Sequence, residues 1–420
     1  MSQPAPDSRE QNDLILNLAR VLHVNGQTTD QTRVATERLG RSLGLRALVN
    51  PHWGEIELQL ENSGTITVTL GAADPTGVHM ERIVSAMRVI DEIRAGQLSP
   101  GNALKRIDAI SQTPPAQTWL FTIAAAAGAA SLSVIFGVQH VAAVLLIAAS
   151  AAIGAVLRRI LAKYSKNALL APFCAALLAG VIGALAVHYQ LSSSLRLVAV
   201  CPCMILVPGP HVLNGMIDLA AVRVPLGASR LIYAGLVILA ISAGLLIGLT
   251  VFNVSLPVNE PSPPVPLWLD VVAAGVAAAA FSVFFSTPLR MLGWPVAVGM
   301  LAHALRWWTL SIGATTATGA LVGCLLVGLI LTPVARRRQI PLAAIGFASV
   351  VSMIPGVFLF RMVSGLLQLA NSSNTTLQLL GGTIANGVTA VVIILAMSFG
   401  LIVPKIIIDR LTDKVARHEP

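Results

Sequence analysis

Apolar runs of about 20 residues follow one another from Trp119 to about residue 404. A helix of that length crosses the roughly 30 Å hydrocarbon core of a bilayer. Of the 420 residues, 55% are hydrophobic and only 11% are charged, a composition that no soluble protein of this size needs. The sequence therefore predicts an α-helical polytopic membrane protein. We count ten spans: residues 118–137, 139–157, 168–188, 196–220, 229–252, 267–287, 293–306, 312–334, 341–369 and 377–404.

Basic residues are distributed unevenly among the predicted loops. With residues 12–117 in the cytoplasm, most basic residues of the later chain fall in cytoplasmic loops or in the tail, including Arg158, Arg159 and Arg230. The external connections hold only Arg196 and Arg306. This asymmetry follows the positive-inside rule, so we expect both termini on the cytoplasmic side of the inner membrane. The loops account for the net charge of +9, and nothing in the pattern indicates nucleic acid.

The first 117 residues have the composition of a soluble segment. We expect residues 1–11 to be disordered and residues 12–117 to form a small cytoplasmic α+β domain with its linker. Apolar and polar residues alternate from Ile56 to Leu60 and, after a turn, from Ile66 to Leu70, which predicts a hairpin with one buried face. Apolar residues at helical spacing predict helices near 12–26, 29–44, 78–95 and 100–111.

Two Pro-Gly pairs interrupt predicted spans at matching places in the two halves of the chain. Pro208-Gly209 falls in the fourth span and Pro355-Gly356 in the ninth. Proline lacks a backbone donor and glycine frees the chain from helical geometry, and lipid offers the freed groups no hydrogen bond. Paired breaks of this kind are typical of the substrate site of a transporter.

A proline-rich external loop, residues 253–266, divides the ten spans five and five. Because each half holds an odd number of spans, the first repeat (118–252) and the second (267–408) must run in opposite directions. Residues 409–420 then form a cytoplasmic tail. We therefore expect two inverted five-helix repeats, with alternating access around the two broken helices.

Three polar residues follow the first break at helical spacing, so that they share one helix face: His211, Asn214 and Asp218. A histidine or a carboxylate at this depth can carry a coupling proton, and we assign that role to His211 or Asp218. Asn214 is placed to bond a substrate's amino or hydroxyl group. The alternatives are a satisfied core histidine, a helix–helix hydrogen bond from Asn214, and an Asp218 that pairs with Arg223.

The second break carries its own polar residues, with Ser352 before it and Arg361 and Ser364 after it. A charge at membrane depth usually faces a cavity or a partner, and a guanidinium suits bidentate recognition of a carboxylate. We therefore expect Arg361 to bind or gate the substrate, with Ser352 and Ser364 beside it. The alternative for Arg361 is a structural ion pair with Asp218.

The sequence lacks the motifs that identify several classes of enzyme and metal-binding protein. No phosphate-binding loop, metal-ligand spacing or serine nucleophile elbow is present, so we expect neither an enzyme nor a cofactor or metal. We assign His140, His188 and His303, which lie near span ends, to the membrane interface.

The order and spacing of these motifs resemble the threonine/serine exporter (ThrE) family over nearly the whole chain. The resemblance rests on Gly26 to Arg33 (GQTTDQTR), Leu43-Gly44-Leu45, Pro208-Gly209 with Asn214, Asp218 and Gly227, and Pro355-Gly356 with Arg361. It implies ten spans, a cytosolic N-terminal domain, and export of threonine and serine driven by the proton-motive force. Related two-subunit members look like exporters of small dicarboxylates, and this chain would be the fused form.

These arguments lead to one main functional prediction, a secondary active exporter of threonine and serine by proton antiport. The alternative is an exporter of small dicarboxylates such as succinate, which predicts two cationic contacts, whereas only Arg361 is evident within the spans. A membrane sensor or a channel is weaker, since two broken helices exceed what anchoring requires. The predicted partners are threonine, serine, protons and the lipid bilayer, with a homo-oligomer left open.

Overall fold

The N-terminal segment folds into a layer of helices packed on a small sheet. The computed structural model describes residues 6–62, 64–190, 195–257, 264–337, 342–371 and 376–416. In chain order the first elements are α1 (Pro6–Val24), α2 (Thr29–Ser42), β1 (Arg46–Pro51), β2 (Gly54–Asn62), β3 (Thr65–Ala73), α3 (Met80–Arg94) and α4 (Pro100–Ser111). The three strands form an antiparallel sheet in the order β1-β2-β3.

The N-terminal helix starts earlier than we expected from the sequence. We predicted disorder over residues 1–11, yet α1 begins at Pro6, and residues 1–5 lie outside the described part of the chain. Proline suits the first turn of a helix because its missing N–H would have no partner there. The apolar face of α1, formed by Leu14, Leu18 and Leu22, then packs into the core of the domain.

The hairpin of β2 and β3 is present, but the prediction that its apolar residues share one buried face is wrong. Leu58 is opposite Thr69, and Gln59 is opposite Val68. Since directly paired residues project from the same face of a sheet, Val68 lies beside a polar neighbour on the outer face. Ile66, Val68 and Leu70 are accordingly 67%, 56% and 65% exposed, whereas Ile56 and Leu58 are fully buried.

The rest of the chain is helical. In order the helices are α5 (Thr118–Ile135), α6 (Val141–Tyr164), α7 (Leu170–His188), α8 (Leu195–Met204), α9 (Gly209–Ala220), α10 (Val224–Thr250), α11 (Leu267–Phe284), α12 (Gly293–Ser311), α13 (Thr316–Arg337), α14 (Leu342–Val350), α15 (Gly356–Asn371) and α16 (Leu377–Ala416). Within the described ranges, seven of them are long and apolar enough to cross a membrane: α5, α6, α7, α10, α11, α13 and α16.

Two bent pairs raise the number of candidate spans to nine. The first pair, α8 with α9, bends by 57°, and the second, α14 with α15, bends by 48°. Both bends fall at the Pro-Gly pairs, as the sequence predicts. The short helical turn Val351–Met353 lies between α14 and α15. Helix α12, which corresponds to the predicted seventh span, is not apolar enough to be counted, since it carries His303, Arg306 and several tryptophans.

The two breaks pack against each other in the interior. A methyl group on Gly209 would collide with Cδ1 of Ile354 and would lie 3.2 Å from Cγ2 of Val351. On the other side, a methyl group on Gly356 would lie 3.4 Å from Cγ of Met204. Each break therefore places its glycine against apolar side chains of the other break, and Gly209 has no room for a larger residue.

Helices at corresponding positions in the two halves pack in the same pairs. Helix α7 packs on α10 as α13 packs on α16, and α9 packs on α10 as α15 packs on α16. Likewise α5 contacts α8 as α11 contacts α14. The broken helix of each half thus lies in the same setting relative to its own neighbours.

Candidate functional site

The first broken helix holds the three polar residues that the sequence places on one face. His211, Asn214 and Asp218 are all buried in the structure. Asn214 Nδ2 donates a hydrogen bond of 3.0 Å to the backbone oxygen of Gly26, which lies in the loop between α1 and α2 of the N-terminal domain. This loop, residues 25–28, therefore covers α9 directly.

Asp218 is the centre of a buried ionic cluster. Its carboxylate oxygens lie 3.0 Å from Nε of Arg223 and 3.1 Å from Nε of Arg230. Arg223 also donates from Nη1 to Asp30 of the N-terminal domain at 2.8 Å. Asp218 is 1% exposed and Arg230 is fully buried. We considered the pairing of Asp218 with Arg223 as an alternative from the sequence, and the structure shows this pair. The placement of Arg230 in a loop is wrong, because α10 starts at Val224 and buries Arg230.

Further contacts join the N-terminal domain to α10 through aromatic rings and a histidine. Nη2 of Arg230 lies 3.5 Å from Nδ1 of His23, whose Nε2 is 3.1 Å from the backbone oxygen of His52. Burial lowers the pKa of His23 to about 3, and the positive charge of Arg230 adds to this shift. Its ring is therefore neutral, donating from Nε2 and accepting at Nδ1. Next to it, Tyr233 packs against Trp53 at 5.1 Å and against His211 at 5.0 Å between ring centroids.

The N-terminal domain also contacts the second half of the chain. The backbone N–H groups of Met80 and Glu81, at the start of α3, donate to the carbonyls of Phe285 and Ser286 at 2.8 and 3.0 Å. The first N–H groups of a helix lack partners within it, as do the last carbonyls, and here the two sets satisfy each other across the interface. The domain is thus docked on both halves of the membrane region.

A cavity of about 490 Å³ lies beside the first break. Pro208, Pro210 and His211 form one wall, and Tyr233 and residues 76–78 of the N-terminal domain form another. Three basic residues also line the cavity, namely Arg158 and Arg159 near the end of α6 and Lys166 in the segment that follows, so we call it the basic cavity. Our assignment of Arg158 and Arg159 to a loop is wrong, since α6 continues to Tyr164.

Arg158 has an unusual environment for a charged residue. Its guanidinium carbon lies 4.8 Å from the ring centroid of Phe284 and 5.7 Å from that of Phe121. It forms no ion pair with a carboxylate in the part of the chain that the structure describes, and its Nη1 atom is buried without a hydrogen bond. Aromatic faces stabilise a cation only partly, so Nη1 of Arg158 keeps a donor for which the described part of the chain provides no acceptor.

The second break holds a buried hydrogen-bonded chain of three side chains. Nε2 of His303 is 2.9 Å from Oγ of Ser352, and Nδ1 of His303 is 3.1 Å from Oδ2 of Asp270. All three residues are buried. The assignment of His303 to the membrane interface is therefore wrong: α12 packs against α11 and α14, and His303 points inward to Asp270 and Ser352.

The other predicted residues of the second half lie apart from the basic cavity. Ser364 Oγ donates to the backbone oxygen of Leu256 at 3.0 Å, and Arg361, three residues earlier on α15, is partly buried. Neither residue lines the 490 Å³ cavity. No group of three or more His, Cys, Asp or Glu residues that could hold a metal ion occurs in the described ranges.

Apolar helices of membrane length, with two broken helices that meet in the interior next to a basic cavity, define a multi-pass membrane protein with the architecture of a transporter. Comparison with known families gives the same class. A family model for the threonine/serine exporters (ThrE) matches residues 13–252, and a second, described as threonine/serine exporter, matches residues 270–407. The chain therefore belongs to the threonine/serine exporter family and carries both parts in one polypeptide. No solved structure matches it.

Proposed function

We propose that this chain exports threonine and serine from the cytoplasm by proton antiport, through alternating access around the two broken helices. In this proposal ten helices, with α12 as the seventh span, form inverted repeats over 118–252 and 267–408. Both termini and the domain of residues 12–117 lie on the cytoplasmic side of the inner membrane. The equivalent helix pairs of the two halves and the contact between the breaks support this arrangement. A homo-oligomer stays a prediction.

The basic cavity beside the first break is the observation that carries the proposal. Its volume lies in the range of small-molecule sites. It is bordered by the N-terminal domain and by the segment after α6, both cytoplasmic in the proposed topology, so a cytoplasmic amino acid can enter it. The guanidinium of Arg158, whose Nη1 atom is buried without a hydrogen bond, then binds the carboxylate.

The start of α9 contributes to this cavity mainly by its shape and its dipole. The N–H of Gly209 bonds the carbonyl of Val207, and those of His211 and Val212 bond the carbonyl of Pro208. These backbone donors are therefore occupied and are not available to a carboxylate. The partial positive charge at the helix start still favours an anion nearby, while direct hydrogen bonds must come from side chains of the cavity, Arg158 first among them.

The docked loop of the N-terminal domain supplies the second element of the proposal. The Oγ1 atoms of Thr28 in this loop and of Thr29 at the start of α2, and the Oδ1 atom of Asn214, are buried without hydrogen-bond partners. Unsatisfied buried polar atoms are costly, so this contact is poised to open. We propose that withdrawal of the loop frees Asn214 for the substrate's amino or hydroxyl group. Arg361 and Ser364 would serve the same substrate on its outward path, whereas Ser352 is buried and hydrogen-bonded to His303.

The dicarboxylate alternative gains one observation. The argument against it was the lack of a second cation, but Arg159 and Lys166 line the same cavity as Arg158. A substrate with two carboxylates would therefore also find charge partners. The family match favours threonine and serine, and a transport assay with both substrate classes decides between them.

Efflux of labelled threonine from preloaded proteoliposomes tests the proposal, with succinate as the competing substrate. A charge-assisted hydrogen bond is worth about 1.5–3 kcal/mol, so Arg158→Ala should weaken the apparent affinity for threonine about 10- to 150-fold. Arg290→Ala, which changes an exposed arginine outside the cavity, is the matched control. Succinate efflux without threonine efflux, or equal kinetics for the two variants, would contradict the proposal.

A further inference from the structure

The buried chain Asp270–His303–Ser352 has no role in substrate recognition as described above. None of its members lines the basic cavity, and each of them is withdrawn from solvent. Burial of a histidine and a carboxylate together is expensive unless they are paired and hydrogen-bonded. Here both ring nitrogens of His303 are in hydrogen-bond contact, one with an acid and one with a hydroxyl group.

The three hydrogen-bonded side chains Asp270, His303 and Ser352 can exist in two states that differ by one proton. With a neutral ring, Nδ1–H of His303 donates to Asp270, and Nε2 accepts the hydroxyl hydrogen of Ser352. When a proton binds Nε2, the ring donates at both nitrogens, and Ser352 Oγ becomes the acceptor. The hydroxyl hydrogen of Ser352 must then turn to another acceptor. Protonation of Nε2 thus reverses the direction of the hydrogen bond between His303 and Ser352. No covalent bond within these three side chains breaks.

The surrounding charges allow both states. Arg306, one turn after His303 on α12, interacts electrostatically with Asp270 and with His303. The other titratable side chains on the elements packed against α11 and α12 are Cys324, Arg336 and Arg337 of α13 and Arg290 of the turn before α12. In these elements Asp270 is the only acid. Together with Arg306, the three side chains have a net charge close to zero when His303 is neutral, and the proton adds one positive charge.

Ser352 connects this chain to the substrate side of the molecule. It lies in the turn Val351–Met353, directly before the second break. Val351, the first residue of that turn, and Ile354, which directly follows it, pack on Gly209, the first residue of α9. A change in the hydrogen bond of Ser352 therefore acts on residues 351–354. This segment packs on the first break, which forms one wall of the basic cavity.

From this geometry we propose that Asp270, His303 and Ser352 bind the coupled proton, and that the contact between the two breaks links this proton site to the substrate cavity. The proposal rests on the proton antiport proposed above and moves the proton away from His211 and Asp218. Asp218 is already held in ion pairs with two arginines, whereas His303 has an acid on one side and a hydroxyl that accepts either orientation on the other.

Two assays on the same proteoliposomes separate coupling from transport. The first measures threonine flux driven by an imposed pH gradient together with internal pH, and the second measures threonine counterflow at equal pH on both sides. In His303→Gln and Ser352→Ala we expect gradient-driven flux to fall by about 5- to 150-fold, the usual range for linked sites, while counterflow persists. Ser352→Thr, which keeps the hydroxyl group, should retain coupling.

Two controls match these variants in chemistry. His140→Gln changes an exposed histidine at the start of α6, and Ser349→Ala removes a buried hydroxyl that bonds only the carbonyl of Ile345 in its own helix. Both should couple as the unsubstituted protein does. Size-exclusion profiles and unfolding curves confirm that each variant is folded. If His303→Gln is unstable, Ser352→Ala carries the test.

The outcomes distinguish this inference from the proposed function. Absence of any threonine flux in the unsubstituted protein would refute the exporter proposal itself. Normal coupling in folded His303→Gln and Ser352→Ala would overturn the proton site alone, and so would coupling that is lost in His211→Gln or Asp218→Asn instead. Loss of counterflow together with driven flux in the folded variants would also overturn it, because His303 would then serve substrate binding.

Discussion

Replacement of Gly209 by alanine tests the contact between the two breaks. The backbone of Gly209 has negative φ, so alanine fits the local conformation, and only the space is lacking. The added methyl group would collide with Cδ1 of Ile354, and its next neighbour, Cγ2 of Val351, lies at 3.2 Å. Overpacking of a filled core costs about 1–3 kcal/mol. We therefore expect Gly209→Ala to lower the free energy of unfolding by that amount.

A second substitution shows whether this cost comes from the contact itself. Ile354→Val deletes Cδ1, the atom that the new methyl group meets, and by itself costs about 0.5–1.5 kcal/mol. In the double variant the collision is gone, so its stability should be close to that of Ile354→Val alone. The two changes would then show a favourable coupling of about 1–3 kcal/mol instead of adding.

Unfolding by SDS titration in mixed micelles measures these differences under one set of conditions. Gly235→Ala is the matched control, because a methyl group there meets no atom within 4 Å, and alanine is about 1 kcal/mol better than glycine in a helix. Additive effects in the double variant would refute the contact between the breaks. The same conclusion would follow if Gly209→Ala were as harmless as Gly235→Ala.

Three further predictions concern the N-terminal domain and its ionic interface. Asp218→Asn leaves the buried guanidinium of Arg230 without its anion and should cost about 3–5 kcal/mol in the same unfolding assay; a loss below about 1 kcal/mol would argue against the buried pair. His23 has a pKa of about 3 when folded and 6.5 when exposed, so its contribution is complete above pH 6.5 and is lost as the pH falls. The loss should amount to about 1 kcal/mol at pH 5.5, and His23→Gln should remove this part of the pH dependence. Val68→Thr should change stability by less than about 0.5 kcal/mol, whereas Leu58→Ala should cost about 2–5 kcal/mol; equal losses would contradict the register.

Features that depend on local sequence could be predicted well. Proline and glycine act on their own turn of the chain, so both breaks fall at the predicted pairs, and α4 runs from Pro100 to Ser111 as expected. The face of the hairpin could not be predicted in this way. Alternation defines two faces for each strand, but the register of the pairing decides which faces combine. The apolar residues of β3 therefore lie on the exposed face.

In the candidate site, too, the residues set by local spacing could be predicted, whereas their partners from distant parts of the sequence could not. Asn214 and Asp218 stand out in the sequence because their spacing places them together on a helix. Their partners cannot be found by spacing, since Gly26 is 188 positions from Asn214. A charged residue near the end of an apolar run gives the same sequence pattern whether it lies in a loop or in a packed interface. Arg158, Arg230 and His303 were misassigned for this reason, and only the packing of neighbouring helices separates the two cases.

The docking of the N-terminal domain on later helices sets an order of events during synthesis. At about 5–20 residues per second, the 188 positions between Gly26 and Asn214 take roughly 10–40 s to translate. For that time the loop of residues 25–28 has no membrane partner and is exposed to water. Gln27 and Thr28 keep it hydrated while the ribosome completes α9 and α10, and the same side chains are afterwards buried at the interface. Polar residues that are costly in the finished protein thus keep the unfinished one soluble.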